Sequence, residues 1–292
     1  MTTSAIKQPA RLRQLLASGD LLTVPGCSDA LGARLIEQAG FDAAYMTGFG
    51  SSATLLGQPD VGLLTGADMT GNAGRIAAAT ALPVIADGDT GYGNAINVAH
   101  TVCAYERAGV AAIQLEDQVM PKRCGHMADK AVVPIGEMAG KVRAAVDARN
   151  EMLVIARTDA RAPEGFDAAV ERGHAYVEAG ADVLFVEALE DADEFEQVGA
   201  AGFGVPLVYN WVEGGSSPAL SAHEVGELGF QILLLPISLL LAATRAMQDT
   251  LVQIRASGTT APGAFGDDPF TRFTDTIGLP ELRAAEARYR DG

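Results

Sequence analysis

The chain is poor in the residues that would cross-link it or bind it to a polyanion. Among 292 residues there are three cysteines, four histidines and one tryptophan. Cys27, Cys103 and Cys124 show no paired spacing, which excludes a disulfide scaffold and a cysteine-rich zinc site. Lysine is scarce too: Lys7, Lys122, Lys130 and Lys141 make up the whole set. The 21 Lys+Arg against 37 Asp+Glu leave a formal charge of −16, so no basic surface is expected for nucleic acid or anionic membrane. A small anionic substrate is not excluded, but it would need local help from a metal or a few arginines. No apolar run reaches the roughly 18 residues of a membrane span. The longest, around residues 232–243, is broken by Pro236 and Ser238. No charged and then apolar leader precedes the first element, so a cytosolic protein is expected.

What is present is a large core and a repeat. The hydrophobic fraction is 48% and the charged fraction 20%, as in ordinary globular proteins. Four segments share one pattern: Glu37-Gln38-Ala39-Gly40, Glu106-Arg107-Ala108-Gly109, Glu178-Ala179-Gly180 and Glu227-Leu228-Gly229 each lead into a short apolar run. Each reads as the last turn of a helix, a glycine in the left-handed cap position and a buried strand. The runs are continuous rather than alternating, as in a parallel sheet covered on both faces. Further strands are predicted at 21–25, 83–87, 153–157 and 206–210, with helices at 30–38, 95–107, 135–148, 166–178 and 219–227. Eight strands alternating with helices predict a single-domain (β/α)8 TIM barrel over residues 1–292, with 259–292 as a C-terminal helical extension. A doubly wound open sheet is the alternative, but no glycine-rich dinucleotide fingerprint follows the first strand.

Barrel chemistry sits at the C-terminal ends of the strands. Here those ends carry Thr47, Asp87 with Asp89, Glu116 with Asp117, Arg157 with Asp159, Glu187, and Asn210 with Glu213. Any one of them alone could be a helix cap; so many strand ends at once point to a site. Asp87-Gly88-Asp89 sets two carboxylates on a glycine-rich turn with no His or Cys beside them, so Mg2+ or Mn2+ fits better than zinc. Asp60 and Glu116 could hold outer-sphere waters. The stretch 45–52, with Thr47, Gly48 and Phe49, is a weaker candidate for a carboxylate or phosphonate nest, and an ordinary Gly/Ser turn is the simpler reading. Trp211, next to Asn210, is a candidate pocket wall. His100, His174 and His223 fall in helices as surface or packing residues, and Cys27 and Cys103 read as small buried hydrophobes.

Lys122-Arg123-Cys124-Gly125-His126 is the most specific stretch. A thiol is a useful acid or nucleophile near neutral pH when cationic neighbours tune it, and Lys122, Arg123 and His126 are such neighbours. Gly125 lets the segment bend, and the whole reads as a mobile catalytic loop.

Together with Thr47-Gly48-Phe49, Asp60, the stretch Asp87 to Gly93, Glu116-Asp117, Arg157 to Ala160, Glu187 and Asn210 to Gly215, this loop makes the chain resemble the phosphoenolpyruvate mutase/isocitrate lyase superfamily from about residue 12 to the C-terminus. The resemblance implies a Mg2+-dependent enzyme acting on a small anionic carboxylate. It also implies a homotetramer, a dimer of dimers, that exchanges its last helix between subunits. By motif, Asp87 would contact the metal, and Asp89, Asp60 and Glu116 would order its waters. Thr47, Gly48 and Phe49 would hold a carboxylate, Arg157 would grip the α-oxygen or carboxylate side, and Glu187 and Asn210 would complete the pocket. The cysteine loop points to the lyase branch: a 2-hydroxy acid loses its hydroxyl proton, C2–C3 breaks, a keto acid such as pyruvate leaves, and Cys124 protonates the carbanion. Tyr45 would handle the hydroxyl proton, its pKa lowered by Arg157. Because Trp211-Val212 is apolar where a third carboxylate would lie, a 2-alkylmalate or dimethylmalate is the favoured substrate. Methylisocitrate cleavage, oxaloacetate hydrolysis and carboxyphosphonoenolpyruvate mutation are the alternatives, with a non-catalytic binding protein as a different class.

Overall fold

A computed structural model describes residues 8–123 and 130–290. Its chain divides into two compact units, residues 1–239 and 240–292. The first is a nearly closed barrel of eight parallel strands with helices between them. The strands are β1 Leu22–Cys27, β2 Ala44–Met46, β3 Val84–Asp87, β4 Ala112–Glu116, β5 Leu153–Thr158, β6 Val183–Val186, β7 Val208–Asn210 and β8 Ile232–Leu235. They pair in the order β6-β5-β4-β3-β2-β1-β8-β7, and a lone bridge between Leu184 and Leu207 brings β6 to β7. The open-sheet alternative is thereby excluded.

The four repeated caps form as the sequence predicts. Gly40, Gly109, Gly180 and Gly229 all take positive φ, between 84° and 103°, and each turns the chain from helix into strand. Alternation along the strands then sorts the core. One set, including Val24, Tyr45, Ile85, Ile155, Phe185 and Leu234, fills the barrel interior. Leu12 and Leu16 of the Gln8–Ala17 helix join that cluster beside Leu22, Ala43, Ala111 and Leu153, the residues at the strand starts, so this helix plugs the end away from the strand C-termini. The opposite strand faces pack under the surrounding helices in two further clusters.

One local expectation changes. Residues 48–56 are a helix, Gly48–Leu56, rather than a Gly/Ser turn. Its Thr47 N-cap accepts from Gly50 N–H, the buried Ser51 Oγ accepts from Asn72 and the buried Ser52 Oγ donates to the Gln58 and Pro59 carbonyls, so packing overrides a composition poor in helix formers. The long Ser238–Ser257 helix, at the boundary between the two compact units, has no buried residue. The second unit continues that helix and adds Pro269–Thr276 and Leu279–Arg290. Its Met247, Leu251, Phe265, Phe270, Phe273 and Leu282 are exposed. Among the described residues no helix is long and apolar enough to cross a membrane.

Closure between β1 and β8 leaves no room for a side chain at Gly26, where a Cβ would lie 2.2 Å from the Pro236 carbonyl oxygen. Gly26→Ala should therefore destabilise by about 2–3 kcal/mol in urea unfolding. Gly136→Ala, in the first turn of Ile135–Ala148 with open space around it, should be neutral or stabilising by up to ~1 kcal/mol.

Candidate active site

Parallel register sets the strand ends side by side. Asp87 pairs with Gln114, Glu116 with Arg157, and Arg157 with Phe185. A cavity of about 240 Å³ opens at these ends. Its polar lining comes from Tyr45, Thr47, Asp87, Glu116, Arg157 and Glu187, among others.

On one side lies an acidic cluster around a buried ammonium. Lys122 Nζ sits 2.7 Å from Asp60 Oδ2 and 2.6 Å from Asp89 Oδ1, with the lysine side chain 3% exposed. Asp87 accepts from Gly48 N–H at 3.2 Å and from Asp89 N–H at 3.0 Å. A Cβ at Gly48 would lie 2.3 Å from Asp87 Oδ2, so only glycine fits there. Asp89 itself holds φ at 47°, a left-handed backbone that Asp tolerates better than most residues. Burial and the neighbouring Asp89 push the Asp87 carboxyl up to about 6, against the pull of Lys122. Burial drives Glu116 well above the usual carboxylate range despite Arg157. The donors are all oxygens, as a hard cation requires, and the raised carboxyls mark positive charge in short supply. The residues therefore fit Mg2+. Among the described residues no three carboxylate, His or Cys side chains already converge as chelating ligands.

On the other side lies Arg157. Its guanidinium forks onto Asp159 through Nε and Nη2, both at 2.9 Å, reaches Glu187 at 3.4 Å and Glu116 at 3.6 Å, and stacks 5.1 Å from the Phe185 ring centre. These carboxylates hold the guanidinium pKa well above its ordinary value, against burial. Asn210 Nδ2 donates to Glu187 at 3.2 Å, while its buried Oδ1 has no partner among the described residues. Glu213 is in the same condition: one oxygen accepts from Ser238 Oγ, and the other is buried without a partner among the described residues.

Beneath the mouth, Asp117 is a structural hub. It accepts from Thr158 Oγ1 and Tyr176 OH, both at 2.7 Å, from Asp159 N–H at 2.8 Å and from Arg172 Nη1 at 3.2 Å. The next residue inward, Gln118, ties Glu116 to the Arg123 backbone: Nε2 donates to both at 2.8 Å and Oε1 accepts from Arg123 N–H at 3.0 Å.

The site residues named from the sequence thus divide. Tyr45, Thr47, Phe49, Asp60, Asp87, Glu116, Lys122, Arg123, Arg157, Glu187 and Asn210 all meet at one cavity. Asp89 stands behind Lys122, and Gly48 spends its N–H on Asp87. Trp211 does not line the cavity; it packs against the cluster of Leu184, Phe195 and Tyr209, and Val212 faces the cavity instead. The expectation for the Tyr45 pKa is reversed. Burial first, then Asp87 and Glu116, raise it well above 10, and Arg157 offsets only part of that. Tyr45 keeps its proton and donates to Gln114 Oε1 at 3.2 Å. Cys124, Gly125 and His126 lie outside the described residues. Cys27 is the buried hydrophobe expected, its thiol pushed up to about 12 by burial. The sequence reading passed over Phe185, Leu234, Pro236 and Ile237 as cavity walls.

A parallel barrel with an acidic, cation-seeking cluster on one side of its mouth and a buried arginine on the other is built to act on a small organic acid. The profile of the family described as phosphoenolpyruvate phosphomutase matches residues 12–255. The chain is 47% identical to 2,3-dimethylmalate lyase of Eubacterium barkeri over 285 residues, covering 97% of this chain and 98% of that one. A crystal structure of a 2,3-dimethylmalate lyase superposes with a TM-score of 0.93 at 39% identity, over 97% of this chain and 96% of the other. A phosphonopyruvate hydrolase in complex with oxalate and Mg2+ matches with a TM-score of 0.87 at 34% identity, over 97% and 99%. The chain belongs to the phosphoenolpyruvate mutase/isocitrate lyase superfamily.

Asp117→Ala would strand Thr158, Tyr176, Arg172 and the Asp159 N–H together. Chemical denaturation should show a loss of about 3–5 kcal/mol. A loss below ~1 kcal/mol would contradict the hub.

Proposed function

We propose that the protein is a Mg2+-dependent carbon–carbon lyase that cleaves a 2-alkylmalate of the 2,3-dimethylmalate type to pyruvate and a simple carboxylate. The observation that carries this is the mixed lining of the cavity. Besides Arg157, Arg123 and the acidic cluster, it contains an apolar wall of Val212, Leu234, Pro236 and Ile237, with Phe49 and Phe185. Such a wall suits methyl groups and penalises a third carboxylate, which would be buried there without a partner. The 47% identity to a dimethylmalate lyase over nearly the whole chain supports the same reading.

Asp87 would hold the metal directly, with Asp60, Asp89 and Glu116 around it. A bound Mg2+ supplies Lewis-acid stabilisation of the charge that develops on the α-oxygen. Arg157 binds the carboxylate beside that oxygen, and its fork onto Asp159 keeps the guanidinium plane fixed before substrate arrives. Tyr45, protonated, offers a neutral donor in the cavity rather than a base. Asn210 Oδ1 and Glu213 Oε2, without partners among the described residues, could accept from donors on the substrate or its waters. As C2–C3 breaks, the 2-hydroxyl proton passes to a carboxylate lining the cavity, C2 becomes the keto carbon of pyruvate, and C3 keeps the bonding pair. Cys124 gives that carbon its proton, with Lys122, Arg123 and His126 as its sequence neighbours. The exposed apolar side chains of the second unit support its exchange between subunits in a homotetramer.

With Mg2+ and 2,3-dimethylmalate the protein should release pyruvate and propionate, and Cys124→Ser should lower kcat by about 10²–10⁴ while substrate still binds. Methylisocitrate cleaved orders of magnitude faster, or oxaloacetate hydrolysed in preference, would overturn the substrate assignment. Light scattering at micromolar concentration should give a tetrameric mass; a monomer would sink the exchanged helix.

A further inference from the structure

Lys130 takes no part in the sequence motif of the loop, yet its ammonium lies 2.8 Å from Asp159 Oδ1 with the two side chains 1% and 0% exposed. Asp159 is the same carboxylate that forks onto Arg157. One buried anion is thus shared by two buried cations, and their joint pull holds the Asp159 carboxyl down to about 2 against its burial.

The arrangement matters for the cavity. Arg157 already faces three carboxylates: Asp159 in the fork, and Glu187 and Glu116 at 3.4 and 3.6 Å. With Asp159 wholly its own, the guanidinium would present little positive potential to an incoming anion. Lys130 takes up part of the Asp159 charge, so more of the Arg157 charge remains for the cavity. Neither Lys130 nor Asp159 lines that cavity, whereas Arg157 does. Asp159 is also pinned from behind, since its N–H donates to Asp117 Oδ1 at 2.8 Å. Removing Lys130 would therefore change the potential at Arg157 more than its place.

We propose that Lys130 is a positioning residue which, through Asp159, keeps Arg157 electropositive toward the carboxylate of the bound substrate. This rests on the reading of Arg157 as the carboxylate grip. A lysine that merely anchors the chain would affect stability and leave anion affinity alone.

The probe is oxalate, titrated calorimetrically in Mg2+ into the full-length wild type, Lys130→Met, Lys130→Gln, Lys130→Arg, Asp159→Asn and the Lys130→Met/Asp159→Asn double variant, with thermal melts of each. Lys130→Met should weaken oxalate binding by about tenfold and raise KM for dimethylmalate alike, with kcat within about threefold of wild type. Lys130→Arg should restore binding to within a few-fold. In the Asp159→Asn background the same change should cost less than about twofold, because the carboxylate through which Lys130 acts on Arg157 has lost its charge. Lys130→Gln keeps a donor to Asp159 without the charge, should behave as Lys130→Met does, and serves in its place if the methionine variant does not fold. Wild-type oxalate affinity in the folded uncharged variant, or an equal loss with Asp159 absent, would overturn the proposal. A wild type that binds oxalate but does not cleave dimethylmalate would refute the substrate assignment and leave the Lys130 comparison standing. A wild type that binds no oxalate would sink both.

Discussion

The burial of one guanidinium among acids governs the rest of the barrel mouth. Taking an arginine out of water costs several kcal/mol, and Arg157 is tolerated only because carboxylates from three neighbouring strand ends meet it. Strand register decides which ones. β4, β5 and β6 run parallel, so Glu116, Arg157 and Phe185 fall in one row, and Asp159 and Glu187 follow two residues later on the same face. With that row fixed, the remaining acids of the mouth, Asp60, Asp87 and Asp89, must find charge elsewhere. Lys122 supplies some of it, and the raised Asp87 carboxyl shows that this is not enough. The mouth thus holds a buried guanidinium and an acidic cluster short of positive charge, to which the proposed function assigns the substrate carboxylate and the metal. An α-oxy acid needs both within one cavity.

The framework of this arrangement was legible in the sequence. The Glu-to-Gly caps announced four helix-to-strand turns, and polar residues at the ends of apolar runs marked the mouth. The misplacement of Trp211 was avoidable. Side chains two apart share a face, so Asn210 facing the cavity implies Val212 beside it and Trp211 on the far side, where the structure has it. The same parity pairs Gln114 with Glu116, and Phe185 with Glu187.

Other features could not be read from spacing. The Gly48–Leu56 helix is weak in local propensity and exists because Thr47 caps it and Gly48 packs against Asp87. Lys122 meets Asp60 from 62 residues away, and Lys130 meets Asp159 from 29. Such contacts depend on how loops return over the barrel, which no local pattern encodes. The Tyr45 pKa failed for a related reason: burial lifts the phenol first, and with Asp87 and Glu116 it outweighs the pull of Arg157 and Lys122.

The central claim is that a C3 carbanion forms in this cavity and is quenched there by a proton donor. It is tested most directly by turning over 2,3-dimethylmalate with Mg2+ in D2O and examining the propionate by NMR. A single deuterium at C2 with one configuration is the predicted result. No cleavage, or propionate labelled without stereochemical preference, would contradict it.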